Sequence, residues 1–456
     1  MSADALGRSA SLQEGGADGG ATSHSRRLLW LLLVAYTFNF LDRQVLNILA
    51  EPIKLEMHLS DSQLGLLTGL SFAILYTTLG IPIGRLADRT NRVGVIGASM
   101  VCWTGFTMAC GFAANIVQLA AFRIGVGVGE AGCTPAAHSL ISDCIPAHKR
   151  ARALAFYSLG VPIGSLLGLT LGGILAHAIG WRMTMVAVGA PGLLVAFIMM
   201  VVLKDPRYGT MAPKRDDVPS LKEVLGELRR TSSFWWLAFG AAFTSFTAYG
   251  QASFMASFYL RNHASALPGF AQRVAEVTGL DVGSTGVIGT VLGLTFGLTG
   301  ILGTLAGGML ADRSGSRPGH AYTSVPAAAS LLAVPIYVAS LLVANFTVSL
   351  LLLIGPLFLK AIWHGPVYAR VQSLVRPQSR ATATALLLFI VNIIGLGLGP
   401  LCVGSLSDLL SRSMDSGNSL RIAMIICGCF GLVSAFCFQV AGRFSIGRSE
   451  PAPGRT

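Results

Sequence analysis

Charge is scarce in this sequence. Only 12% of its 456 residues are Asp, Glu, Lys or Arg, about half the share usual in a soluble domain. Another 53% are Ala, Val, Ile, Leu, Met, Phe, Trp, Tyr or Cys. One water-soluble core cannot hide that much apolar surface, so a soluble globular protein is excluded. Intrinsic disorder of the bulk of the chain is excluded by the same numbers. Cysteine is also sparse, at eight residues. Cys102, Cys110, Cys133, Cys427, Cys429 and Cys437 lie in apolar runs and no CxxC occurs, which argues against a disulfide framework and a metal site. No Walker A motif is present, so nothing supports ATP-driven chemistry. The glycine runs Gly125-x-Gly127-x-Gly129 and Gly395-x-Gly397-x-Gly399 lie inside apolar stretches with no strand before them, against a nucleotide reading.

What is abundant is glycine, 54 residues, as expected where helices pack closely in lipid. Twelve stretches have the roughly 20 apolar residues that a membrane helix needs: 27–50, 62–84, 93–113, 116–145, 153–178, 183–203, 233–260, 283–311, 320–343, 347–375, 381–409 and 420–442. Arg26-Arg27 precedes the first like an export signal, but that stretch continues to Ala50, too long for a cleaved segment. The expected organisation is a disordered tail 1–25, a six-helix bundle 26–203, a linker 204–232, a second bundle 233–442 and a tail 443–456. In the linker, Leu221, Val224, Leu225 and Leu228 share one helical face, which suits a helix lying on the inner leaflet. The loop 261–282, with Phe270, Val274 and Val277 on one side, is either a short lid helix or disordered.

Lys and Arg set the orientation. With the N-terminus inside, 23 of the 33 fall on the cytoplasmic side, six outside and four within spans. Both termini are therefore expected in the cytoplasm. The net charge of +12 is spread over loops that face anionic lipid, so membrane lipids and not nucleic acid are the expected partners.

The chain repeats itself. Gly84-Arg-Leu-Ala-Asp88-Arg89-Thr-Asn-Arg92 follows span two, and Gly308-Met-Leu-Ala-Asp312-Arg313 follows span eight, half the chain later. Arg150-Ala-Arg-Ala and Arg380-Ala-Thr-Ala open spans five and eleven at nearly the same offset. Six plus six spans in the same sense imply parallel halves related by an axis along the membrane normal.

These motifs carry a resemblance. Over about residues 26–442 the chain resembles a major facilitator superfamily transporter, whose signature is the Gly-x-Leu-Ala-Asp-Arg-x-x-x-Arg loop after the second helix. Asn39-Phe-Leu-Asp42-Arg43-Gln44 and Arg123-Ile-Gly-Val-Gly-Val-Gly129-Glu130-Ala131 resemble the Spinster-like branch, whose animal members are similar to lysolipid and sphingosine-1-phosphate exporters. The resemblance implies twelve helices in two bundles, alternating access and no enzymatic activity. It also implies that Gly84, Asp88, Arg89 and Arg92 close the outward-facing state, with Asp312, Arg313, Arg150 and Arg380 at the matching positions.

Charge inside a bilayer costs about 2.5–3.5 kcal/mol per residue, so the buried charges need a purpose. Counting helical rise, Asp42 and Arg123 lie at similar depth below the outer ends of their helices. They are expected to face one cavity and to pair in at least one conformation. Glu130, seven residues after Arg123, lies on nearly the same face and closer to the cytoplasm. A carboxylate in a dry cavity that loses its Arg partner takes up a proton, so Asp42 and Glu130 are the candidate proton-coupling residues. The freed Arg can hold an anionic head group. A permanent ion pair, and for Glu130 a plain interhelical hydrogen bond, are the structural alternatives. Arg43 either binds the head group or snorkels. Asn39, Lys360, His364 and Asn392 complete the candidate substrate lining. Lys360 and His364 share a face, although His364 bonded only to a backbone carbonyl is an equal reading. Phe38, Phe40, Phe72, Phe243, Phe246 and Phe254 either wall the cavity for an alkyl tail or face lipid.

The expected function is secondary active, proton-coupled transport of an amphipathic lipid-like anion. Transport of a small organic anion or a drug is the alternative. No cofactor is expected beyond the proton as coupling ion, and no metal. The chain is expected to be a monomer in a plasma membrane of the bacterial inner-membrane type.

Overall fold

The computed structural model describes the backbone of residues 4–206, 221–313 and 318–444. Side chains are described from residue 25, except at Ile81, Asp88, Ala147, His148, Ala151, Leu221, Asp312, 318–320, Pro377 and Ala381. The expected tails, apart from Ser25 and residues 443–444, and most of the linker lie outside the described side chains.

Twelve long helices make two bundles of six. In hydrocarbon every backbone N–H and C=O must be paired within the chain, and a helix does this locally. Helix one is Asp4–Met57, and helix two runs Asp61–Gly65, Leu66–Leu70 as a π-turn, and Ser71–Arg89. Helix three is Arg92–Cys110, and helix four is Ile116–Glu130 continued by Cys133–Cys144. Helix five comprises Ala147–Ser158 and the first part of Gly160–Val202; helix six is the rest. The chain reverses between them at Gly180, whose φ of 73° suits glycine. Before it Gly168 packs on Leu41; after it Gly189 returns past Met108 and Gly97 meets Met200.

The second bundle repeats the order. Helix seven is Ser232–Asn262, helix eight Gly283–Arg313 and helix nine Pro318–Leu342. Helix ten is Phe346–Ala361 plus His364–Ser373. Helix eleven is Arg380–Val391, a π-segment Asn392–Leu398 and Gly399–Leu410; helix twelve is Ser416–Gly428 plus Phe430–Arg443. Nine of the described segments are apolar enough over 18 residues to cross a membrane, Arg152–Val202 counting as one. Its split at Gly180, with the more polar helices one and seven, completes twelve.

The breaks fall where proline demands them. Pro135, Pro162 and Pro366 each stand third in a new helical segment, where a missing N–H costs nothing. Helix four is capped by Asn115, which accepts from the Gln118 N–H. Helix ten is capped by Asn345, which accepts from Val348. One cap follows the other at the same offset that relates Arg150 to Arg380.

Small residues set the helix spacing. A Cβ on Gly168 would come within 2.6 Å of the Leu41 carbonyl oxygen, and one on Gly127 within 2.6 Å of that of Phe72. This is close packing, and it accounts for the glycine run in helix four without a nucleotide. Gly395 and Gly399 press in the same way on Ser245 and Phe246 of helix seven.

Two short helices lie outside the bundles' spans. The linker helix Leu221–Arg229 turns part of its apolar face to protein. Val224 and Leu228 are fully buried with Leu237, Val371 and Leu387 of the second bundle. Glu227 accepts from Ser379 Oγ at 3.0 Å and the Arg376 N–H at 3.3 Å. Burial on protein satisfies the apolar stripe as well as lipid does. The loop after helix seven forms a helix, Leu267–Thr278, ended by Gly279 in the left-handed region. Phe270 packs on Phe346, whereas Val277 remains 87% exposed.

Candidate substrate and proton site

The buried charges of the first bundle gather between helices one and four. Arg43 donates from Nε to Glu130 Oε2 at 2.7 Å, and its Nη2 lies 2.6 Å from the same oxygen. Its guanidinium carbon lies 5.0, 4.6 and 4.5 Å from the ring centres of Phe40, Phe72 and Tyr76. Each such stack contributes roughly 0.5–2 kcal/mol, the upper end when desolvated. A delocalised, weakly hydrated cation is thus held by one carboxylate and three rings.

Asp42 does not pair with Arg123 in this conformation. Asp42 Oδ2 accepts from Thr107 Oγ1 at 3.1 Å. Arg123 stands over Phe72 at 5.4 Å, and no ion pair reaches it among the described residues. The two remain within electrostatic range of each other, but the hydrogen bond to Asp42 comes from Thr107 of helix three. Glu130 has instead turned to the neighbour of Asp42.

Several polar atoms here have no hydrogen-bond partner although buried: Asn39 Nδ2 and Oδ1, Asp42 Oδ1, Arg123 Nε and Glu130 Oε1. Each buried orphan costs about 1–3 kcal/mol. Such a concentration in one place is what a site awaiting protons and a ligand requires.

The second bundle supplies other chemistry. Lys360 donates to Gln251 Oε1 at 2.6 Å and lies 4.4 Å from the Tyr337 ring centre. His364 does not join it. Its Nδ1 lies 3.0 Å from the Ala361 carbonyl oxygen and its ring stacks on Trp363 at 4.2 Å. Asn392 opens the π-segment of helix eleven. Tyr249 of helix seven lies within electrostatic range of Arg43 and Tyr76, which brings the second bundle to the first one's site. Of the six phenylalanines, Phe40 and Phe72 stand at the site, and Phe243 and Phe246 pack on Phe430.

The ends of the helices decide which side is open. On the face opposite the described termini, Arg261 of helix seven reaches Glu51 of helix one at 2.7 Å and Asp61 at 2.8 Å. Lys54 and Ser407 each lie 2.6 Å from Asp61. Asp408 of helix eleven accepts the N–H groups of Asp61 and Ser62 at 2.9 and 2.8 Å, at the positive end of helix two. This network ties the bundles together. Its charges were absent from the sequence-derived site; their signal was a knot of acids and bases at span ends on the face poor in Lys and Arg.

Helices five and eight touch at Gly173–Thr285, Leu169–Gly289, Leu166–Gly293 and Pro162–Gly297, but a Cβ on Gly300 would meet nothing within 4 Å. Gly84 packs on Pro135 inside the first bundle. Arg92 is fully buried: its Nη2 donates to Asp205 and Nη1 to Asp143, both at 2.5 Å, and Nη1 reaches Ser139 at 3.0 Å. Asp143, Asp205 and Ser139 are further residues that the motif alone did not reveal. Arg150 donates to the Ile145 carbonyl at 3.0 Å and Arg380 to that of Gln372 at 3.1 Å. Each of the two pseudo-equivalent arginines thus bonds a carbonyl near the end of the preceding helix, five residues back for Arg150 and eight for Arg380. Arg89 and Arg313 are exposed. The side chains of Asp88 and Asp312 lie outside the described residues.

Residues 32–269 match the Major Facilitator Superfamily. The chain belongs to that family. This transporter is 31% identical over 427 residues to an "MFS-type efflux pump" of Mycolicibacterium smegmatis, covering 92% of this chain and 94% of the pump. It is 25% identical to human "Protein spinster homolog 1" over 91% of this chain and 80% of that one. Among solved structures it resembles a bacterial homolog to the human lysosomal transporter Spinster, inward-facing and unoccupied. The TM-score is 0.81 at 31% identity, covering 94% of this chain and 99% of the other. The transporter therefore has Spinster-like relatives and is not an enzyme.

Proposed function

We propose that the transporter moves an amphipathic, lipid-like anion by alternating access, coupled to protons through Asp42 and Glu130. The observation that carries this is the Arg43–Glu130 pair in its cage of Phe40, Phe72 and Tyr76, beside the unpartnered oxygens of Asp42 and Glu130. An anionic head group that takes Arg43 leaves Glu130 without its cation, and a desolvated carboxylate then binds a proton. The anion thus replaces Glu130 on the guanidinium as Glu130 takes up the proton, with no extra parts. Aromatic walls suit an alkyl tail.

On this reading both termini are cytoplasmic, the chain works as a monomer in a bacterial inner membrane, and the closed network is the outer gate. A second reading, export of a small organic anion or drug, is favoured by the likeness to the mycobacterial efflux pump.

The test is proton flux in proteoliposomes holding an internal pH dye, with lysophospholipids, sphingoid phosphates and small organic acids added in turn. Flux evoked by one lipid class and lost in Asp42→Asn is expected. Flux with small acids alone would install the second reading. Substrate movement without protons, equal in both proteins, would remove the coupling role.

A further inference from the structure

Helix four and helix ten share more than their caps. Both break after their first segment, at Ala131 and at Ile362. Glu130 stands just before one break and Lys360 just before the other, related by the offset of the caps. Each partner comes from the first helix of its own bundle. Arg43 of helix one reaches Glu130, and Gln251 of helix seven reaches Lys360. The geometry is repeated and the charge is reversed.

The reversal leaves Lys360 in an unusual state. It is 7% exposed, and no ion pair reaches it among the described residues. An ammonium taken from water without a carboxylate costs several kcal/mol; one amide oxygen and one ring offset only part of that. Because a charged lysine only donates, Gln251 presents its oxygen to it. Its Nε2 then faces the other way, buried and unpartnered. Among the described residues this pair presents N–H donors and meets no carboxylate. The ligand that complements such donors is acceptor-only, an oxyanion.

We infer that Lys360 and Gln251 form a second, oxyanion-binding subsite in the C-terminal bundle, for a phosphate or carboxylate group of the transported molecule. Both residues of the subsite, and the Tyr337 ring beside Lys360, belong to the second bundle. An anion held there supplies Lys360 with a counter-charge, and its departure removes it. The inference rests on the anionic-substrate reading above.

The experiment is equilibrium binding by calorimetry to the full chain in phosphatidylcholine nanodiscs. The probes are lysophosphatidic acid, oleate, inorganic phosphate and an uncharged monoacylglycerol. Lys360→Gln is expected to weaken lysophosphatidic acid or oleate about tenfold or more, with the monoacylglycerol unchanged, and Lys360→Arg to recover part of the loss. Inorganic phosphate bound as tightly as the lipid would make the ligand a free anion. Gln251→Glu gives a readout that a purely structural lysine would not. An internal carboxylate should raise the melting temperature and at the same time weaken the anion. Unchanged anion affinity in a folded Lys360→Gln, or in Gln251→Glu with a raised melting temperature, would overturn the subsite. Binding of an anionic lipid lost in Arg43→Gln and intact in Lys360→Gln would overturn it alone. Wild type binding no anion would overturn the anionic-substrate reading with it.

Discussion

The two bundles have one backbone plan and opposite chemistry. In the first, a guanidinium meets a carboxylate, and the unpartnered acceptors Asp42 Oδ1, Glu130 Oε1 and Asn39 Oδ1 stand beside two unpartnered donors, Asn39 Nδ2 and Arg123 Nε. In the second, an ammonium meets an amide whose Nε2 is an unpartnered donor. Acceptors that must be neutralised suit protons. Donors without acceptors suit an anion. A duplicated scaffold thus supplies two half-sites that differ in what they ask of a ligand, while their caps and breaks stay alike.

The comparison breaks most sharply at the carboxylates. Glu130→Gln is expected to cut proton-linked transport on the order of a hundredfold, equivalent to roughly 3 kcal/mol lost from a buried charge-assisted contact. The dye assay in proteoliposomes reads this directly, and near-normal coupling would leave the first half-site without its acceptor role. Next in size is the network joining the halves. Arg261→Ala leaves Glu51 and Asp61 facing each other with Lys54 alone, and breaking such a buried pair costs roughly 3–5 kcal/mol. That cost falls on the state closed at this face. Spin-label distances between helices one and seven should lengthen there, with the open population rising about tenfold or more.

A smaller effect is expected where the linker helix grips the second bundle. Glu227→Ala removes the acceptor of the Ser379 hydroxyl and the Arg376 N–H, a loss of about 1 kcal/mol. Amide exchange should rise in Leu221–Arg229 and around Ser379 and stay unchanged in the first bundle. The finest test is the cap pair. Asn115→Ala and Asn345→Ala should each cost about 1 kcal/mol, alike within error in thermal melts. A clear inequality would show that the halves bear unequal loads despite equal geometry.

Part of this geometry was readable from helix arithmetic. Rise per residue brings the charges of helices one and four near one another, with Glu130 seven residues beyond Arg123. Which cation meets which carboxylate was not readable. Arg43 was assigned to head group or interface, whereas it turns to Glu130 and leaves Asp42 to Thr107. That outcome depends on helix rotation and on the aromatic cage, neither of which is encoded by spacing along one helix. His364 shows the same limit. The i, i+4 spacing would give it a shared face with Lys360, but the helix breaks between them and its ring stacks on Trp363.

Twelve apolar runs, the Lys and Arg asymmetry and the repeated motifs determined the fold class and the six-plus-six order by themselves. A bilayer permits little except helices of a set length, so composition becomes architecture. The tertiary structure alone decided the far-face network of Glu51, Lys54, Asp61, Arg261 and Asp408, the seat of the linker helix and the reversed pair at Lys360. Each depends on contacts between residues far apart in the chain. Side-chain pairing at such separation follows from how two packed surfaces meet, which no local pattern specifies.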